Sequence, residues 1–182
     1  MALEFTTSYL QDTLALLRYY KRMADRAMEQ VTDSQLYAAL DGETNSIAIT
    51  VKHIAGNQRS LWTDFLTSDG EKADRNRDGE FVDPPGTRAA LLGVWEEGWR
   101  TLFDALEPLK DGDLSRTVKI RGEAHSVLQA INRQTTDYAC QFGQIILLEK
   151  HFAGEDWQSL TIPRGQSDAY RRQVGAGERW QR

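Results

Sequence analysis

SVLQAINRQTTDYACQFGQIILLEKHFAG, residues 126–154, is the stretch that decides the fold. Ser126 and Gln129 open it with the spacing of a capping box, in which the serine hydroxyl and the glutamine side chain satisfy reciprocal terminal amides. Leu128, Ile131, Thr135, Tyr138, Phe142, Ile145 and Phe152 then follow at helical spacing until Gly154. One side of a long helix is therefore apolar and needs other elements to bury it.

Three upstream segments carry the same period. Thr7 to Val31 repeats Leu10, Leu14, Leu17, Tyr20, Ala24, Met28 and Val31. Ser46 to Thr67 repeats Ile47, Val51, Ile54, Leu61 and Phe65, with Asn45 or Ser46 as its cap and Asp69-Gly70 as its end. Thr87 to Leu109 repeats Leu91, Val94, Trp95, Leu102, Leu106 and Leu109, with Pro108 where the chain leaves the helix. Between the second and third helices, SDGEKADRNRDGEFVDPPGT (68–87) is too rich in glycine, proline and charge to stay helical. It is also long for a hairpin turn, so it reads as a crossover. LKDGDL breaks the chain after the third helix, and Thr117 to Ile120 alternates like a short extended segment. Beyond Glu155 the period is lost. The pattern predicts a single all-α domain over residues 1–182: an up-down-type four-helix bundle with a long crossover between helices two and three and a C-terminal arm at 155–182.

Composition narrows the function classes. The net charge of the 182 residues is −5 with acids and bases interspersed, so no basic stripe awaits a phosphate backbone and no nucleic acid is expected. Cys140 is the one cysteine, which excludes an intrachain disulfide and a cysteine zinc finger and suits a reducing cytoplasm. No basic-then-apolar leader and no run of eighteen apolar residues occurs, so the expectation is a cytoplasmic protein with no membrane segment.

Polar residues flanking the core stripes are the candidates for chemistry. On the second helix Ser46, Thr50, His53, Asn57, Ser60 and Asp64 form such a line; on the fourth, Gln134, Asp137, Gln141 and Gln144 do. If the flanks meet, His53, Asp137 and Gln141 converge as imidazole, carboxylate and amide oxygen, with Asn57, Gln134 and Gln144 lining the same pocket. An imidazole with a carboxylate suits one divalent zinc, nickel or iron ion with positions left open for water and substrate. A solvated face or a satisfied hydrogen-bond line explains the same spacing and is the commoner case.

Other residues read as structural. His125 fits a turn or capping position beside Ser126, and His151 sits where a helix C-terminus favours a cation. Cys140 has no flanking cation and reads as a core or interface thiol. DGEKADRNRDGEF (69–81) could meet an anionic substrate, but its alternating signs point first to internal salt bridges. Arg164, Arg171, Arg172, Arg179 and Arg182 form a mild basic patch that solvation explains.

Taken together, VKHIAGNQRSLWTDFLTSDGEKADRNRDGEF (51–81) and IRGEAHSVLQAINRQTTDYACQFGQIILLEKHFAGEDWQSLTIPRG (120–165) closely resemble the DinB-like superfamily, and within it an uncharacterised bacterial subgroup. The resemblance implies a four-helix bundle with a long connection between helices two and three, assembled as a homodimer. Its better understood members are metal-dependent transferases of low-molecular-weight thiols and a maleylpyruvate isomerase. Such proteins carry one histidine on helix two and an H-x-x-x-H pair on helix four around one divalent metal. His53 matches the first, whereas Asp137 and Gln141 replace the pair. An amide oxygen in place of a nitrogen donor weakens zinc or nickel binding. Leu61 stands where the subgroup often has arginine, which removes an anion contact.

The resemblance thus implies a degenerate His/Asp/Gln version of the metal site, with weak or absent metal binding. Such a protein would bind a small molecule or act as a dimeric stress-related protein without chemistry of its own. In the metal-free case an Asp137–His53 hydrogen bond would fix the imidazole tautomer. The alternative is a metal-dependent hydrolase or thiol transferase in which His53 and Asp137 hold the ion. A third possibility is an interaction module using an aromatic face or the tail from Trp157.

Overall fold

Hydroxyl side chains start every long helix. In the computed structural model, which describes residues 8–176, the helices are α1 (Tyr9–Glu29), α2 (Asp33–Tyr37), α3 (Ile47–Trp62), α4 (Arg88–Leu106), α5 (Val127–Ala153) and α6 (Ser167–Gly175). Ser8, Ser46, Thr87 and Ser126 each accept a hydrogen bond from the backbone N–H three residues on, and Ser126 with Gln129 forms the full capping box. The second long helix stops at Trp62 rather than Thr67, because Thr63 is extended and Asp64 turns to φ 48°. The third stops at Leu106, three residues before its expected end. The five-residue α2, capped by Thr32 and Gln35, is too short for a periodic signal.

Side-chain contacts fix the helix directions. Arg18 pairs with Glu107 while Trp95 Nε1 donates to Asp25, so α1 and α4 run in opposite senses. Tyr9 bonds Asn132 and Tyr20 packs on Phe142, so α1 and α5 run the same way. Ala55 lies against Gly98, and seven residues on Trp62 shares a cleft with Ala105, so α3 and α4 are parallel neighbours. The bundle is therefore up-down-down-up, with α3 packed against α4 and α5. Parallel neighbours force the intervening chain to return along the whole helix, roughly 24 Å at about 1.5 Å per residue. Residues 63–87 make that return, including a 3-10 turn at Asp78–Phe81.

Trp95, Trp99, Tyr138 and Phe142 fill the centre, with Trp99 stacked 5.9 Å from Phe142. The buried stripe of α5 runs through Val127, Ala130, Ile131, Gln134, Tyr138, Phe142, Ile145, Leu148 and Glu149. Leu128, Thr135 and Phe152, expected on that stripe, are only half-buried. Thr117–Ile120 is extended as expected, as strand β1. It pairs antiparallel with β2 (Glu123–Ser126), which carries His125 opposite Val118; His125 is thus a strand residue rather than a cap. Arg121 and Gly122 make the two-residue turn with φ of 55° and 78°, the positive-φ pair that suits a right-twisted hairpin.

The C-terminal arm folds back on the bundle. Leu160 is buried, Gln30 and Gln158 exchange hydrogen bonds, Arg26 donates to the Leu160 carbonyl, and Trp157 Nε1 donates to Glu149. Thr7 of the first expected helix, and Arg179 and Arg182 of the arm, lie outside the described residues. No helix among the described residues is long and apolar enough to cross a membrane.

Candidate functional site

The crossover builds the site, and α3 holds the crossover in place. Lys52 donates from Nζ to the carbonyls of Gly79, Val82 and Asp83 at 2.6, 2.6 and 3.1 Å. Ser60 donates to the Gly70 carbonyl and accepts from the Lys72 amide. Asp69 then ties the crossover to the hairpin, because its carboxylate accepts from the backbone N–H groups of Glu71, Gly122 and Arg121. Those amides hold the Asp69 carboxyl below its ordinary range, and they support the Arg121 backbone in its left-handed conformation. Asp69-Gly70 is thus a clamp between crossover and hairpin rather than the end of a helix.

This anchoring delivers Glu80 to His53. The His53 Nδ1–Glu80 Oε2 distance is 2.8 Å, and Arg75 grips the same carboxylate through Nε at 2.8 Å and Nη2 at 3.0 Å. The three side chains are 8, 8 and 6 % exposed. Arg75 also bonds Glu71, which in turn pairs with Arg121. Burial works against the charge on Glu80, but the His53 and Arg75 contacts outweigh it and hold the carboxyl below its usual value. Burial likewise opposes the Arg75 charge, and its carboxylate partners more than offset it. An ionised Glu80 can only accept, so Nδ1 donates and Nε2 is the nitrogen left for a ligand. Phe81 stacks on the imidazole at 4.5 Å and completes its seat. Gly56 makes room for this arrangement: a Cβ there would stand 2.6 Å from Glu80 Oε1.

A cavity of about 390 Å³ opens between α3 and α5 beside His53. From α3 it is lined by His53 and Asn57, and from α5 by Arg133, Gln134, Thr136, Asp137 and Cys140. The crossover adds Arg75 and Arg77, and the hairpin turn adds Arg121. Asn57 is set by a buried relay in which Trp62 Nε1 donates to the Tyr138 hydroxyl at 3.0 Å and that hydroxyl donates to Asn57 Oδ1 at 2.9 Å. Among the described residues the Asn57 amide N–H groups have no partner and remain for an occupant. Burial pushes the Tyr138 phenol well above its ordinary pKa, so the relay keeps its proton.

The structure brings His53, Asn57, Gln134 and Asp137 together, as the two polar flanks predict. Gln141 and Gln144 do not line the cavity. The cavity ends at Cys140, and Gln144 lies about 10 Å along the axis from Asp137 at about 1.5 Å per residue. His53 takes its carboxylate partner from Glu80 rather than Asp137. Cys140 is exposed at the cavity rather than in the core. Leu61 is a core residue packed near Gly70 and does not line the cavity, so a leucine at this position leaves the cavity's own cations untouched.

Helix-flank reasoning missed Glu80 and the four arginines: Arg75, Arg77 and Glu80 arrive on the crossover, Arg121 on the hairpin turn, and Arg133 stands on the exposed side of α5, beside the polar line rather than in it. The stretch 69–81 does form internal ion pairs, as its alternating signs suggest, and it also faces the cavity. As a metal site the donor set is short. His53, Asp137 and Cys140 line the cavity and the amide of Gln141 is missing from it, but among the described residues no three His, Cys, Asp or Glu side chains come close enough together to hold an ion.

No curated protein and no solved structure matches this chain. A family model does match over residues 4–166, which is most of its length, and the chain belongs to the family described as "Protein of unknown function (DUF1572)".

Proposed function

We propose that this chain is a DinB-like bundle that binds a small organic anion in the cavity between α3 and α5, in place of a tightly held metal ion. The observation that carries the reading is the convergence of Arg75, Arg77, Arg121 and Arg133 on the cavity that contains His53. Arg75 and Arg121 are partly neutralised by Glu80 and Glu71. Arg77 makes a cation–π contact with Phe81 but no ion pair or side-chain hydrogen bond among the described residues, and Arg133 makes none of the three. Two guanidiniums with their donor forks uncommitted suit a carboxylate or phosphate, which they grip through paired N–H groups. Asn57 adds an amide donor and His53 Nε2 adds a proton acceptor or donor at the same wall.

A second reading, a metal-dependent hydrolase or thiol transferase using His53 and Asp137, draws support from the Glu80–His53 bond. A carboxylate on one imidazole nitrogen is how proteins orient a histidine whose other nitrogen binds a metal. Two side-chain donors are few for tight binding of zinc or nickel.

Two measurements on the purified protein decide between them. Calorimetry with inorganic phosphate and with glutarate is expected to give binding that weakens as salt rises, and about tenfold or greater loss in Arg133→Gln, the size of a charge-assisted hydrogen bond. Elemental analysis without added chelator is expected to find substoichiometric metal that ignores His53→Ala. One ion per chain, lost on that substitution, together with no heat from either anion, overturns the anion reading. The homodimer that the resemblance implies is checked by sedimentation, where the mass of a single chain would refute it.

A further inference from the structure

A simple anion leaves part of this cavity unsatisfied. Gln134 is 5 % exposed, and its side-chain oxygen has no hydrogen-bond partner among the described residues. One helical turn on, Asp137 lines the same cavity and makes no ion pair or hydrogen bond among them. Both are acceptors, three residues apart on α5, and so project to the same side of the helix. Native proteins rarely leave a buried amide oxygen unpaired, so each such atom calls for an explanation. A carboxylate held by the arginines supplies no donor to either side chain, and its charge repels Asp137.

We infer that the ligand is a small zwitterion of the amino-acid class, whose acid group meets the arginines and whose ammonium group meets Gln134 and Asp137. This rests on the anion reading above and adds the second half of the molecule. An ammonium group has three N–H donors and one positive charge, enough for the amide oxygen and the carboxylate together. Turning the Gln134 amide over would exchange its acceptor for a donor, yet the Asp137 carboxylate would still attract the same ammonium group. The volume of about 390 Å³ lies within the range of small-molecule pockets, about 300–1,000 Å³.

L-Glutamate and glutarate test the inference, since they share two carboxylates and differ by the α-ammonium group. Titration calorimetry of the full chain is expected to give L-glutamate about tenfold tighter binding than glutarate, as one charge-assisted hydrogen bond provides. In Asp137→Asn the ratio between the two ligands falls towards one, and Gln134→Leu lowers it as well. The wild-type comparison stands whether or not either variant folds. Equal affinity for the two ligands overturns the zwitterion while leaving the anion reading in place. Absence of binding by both, and by inorganic phosphate, removes the anion reading and the zwitterion with it; absence of binding by both with phosphate still bound overturns the zwitterion alone.

Discussion

Replacing Gly56 by alanine isolates the contact that seats the site. In the middle of an unconstrained helix this exchange stabilises by about 1 kcal/mol, because alanine loses less backbone entropy. Gly93 offers that control on α4: nothing lies within 4 Å of a Cβ built there. At Gly56 the same Cβ would stand 2.6 Å from Glu80 Oε1 and 2.7 Å from Cδ, too close for either to remain. The carboxylate must retreat from His53 and from both Arg75 nitrogens, leaving an almost fully buried guanidinium without its main partner. Breaking a buried ion pair costs about 3–5 kcal/mol. Less the helix gain, Gly56→Ala should lose about 2–4 kcal/mol while Gly93→Ala gains up to about 1. Urea unfolding at neutral pH followed by tryptophan fluorescence measures both. If Gly56→Ala unfolds at the same urea concentration as Gly93→Ala, then Glu80 is not fixed against α3, and the account of how His53 is oriented fails.

Glu149 gives a prediction in pH. Burial raises its carboxyl pKa, with the Trp157 hydrogen bond partly opposing the rise. A raised folded-state value means that the stability it contributes is full below the unfolded value of about 4.3 and is lost as pH rises through the folded one. Glu149→Gln removes that loss, so thermal midpoints of variant and wild type should diverge in the variant's favour towards neutral pH; parallel curves would refute the burial argument. Trp62→Phe deletes the N–H that the Tyr138 hydroxyl accepts. It should cost about 1 kcal/mol or more in chemical denaturation, and glutarate binding should weaken because Asn57 loses its fixed relay. Undiminished binding would separate that relay from the cavity.

The parts of this protein that obey a local rule were legible in its residues. Capping hydroxyls at Ser46 and Ser126 and the three-to-four spacing of Leu91, Trp95 and Leu102 need only their own helix to be understood. His53, Asn57, Gln134 and Asp137 were legible for the same reason, because a helix fixes the relative direction of residues three and four apart. How far along α5 the cavity extends is a property of packing between helices, and there the reading overran to Gln141 and Gln144. Glu80 posed a different obstacle. Its position follows from Lys52 gripping three carbonyls and Asp69 gripping three amides, contacts that join the crossover to α3 and to the hairpin. No periodicity announces such bonds, and Gly56 acquires its meaning only after Glu80 has been placed.

The crossover also explains how an acidic chain presents a cationic cavity. Net charge is −5 over the whole sequence, yet the four guanidiniums at the cavity outnumber the three carboxylates of Glu71, Glu80 and Asp137 that accompany them. Two of those carboxylates are already engaged by Arg75, so they orient a cation more than they repel an arriving anion. The parallel placing of α3 and α4 demands a long return segment, and that segment carries Arg75, Arg77 and Glu80 past the open side of His53. The topology that lengthens the loop thereby furnishes the charge. A ligand entering the cavity meets a local field opposite in sign to the protein's overall one, which favours capture of anions at short range while the surface as a whole repels them. Raising ionic strength should therefore weaken the bound state through the arginines and, at the same time, relieve the long-range repulsion. Dissociation rates should respond to salt more strongly than association rates, and stopped-flow measurement with glutarate would refute this charge arrangement if association alone carried the salt dependence.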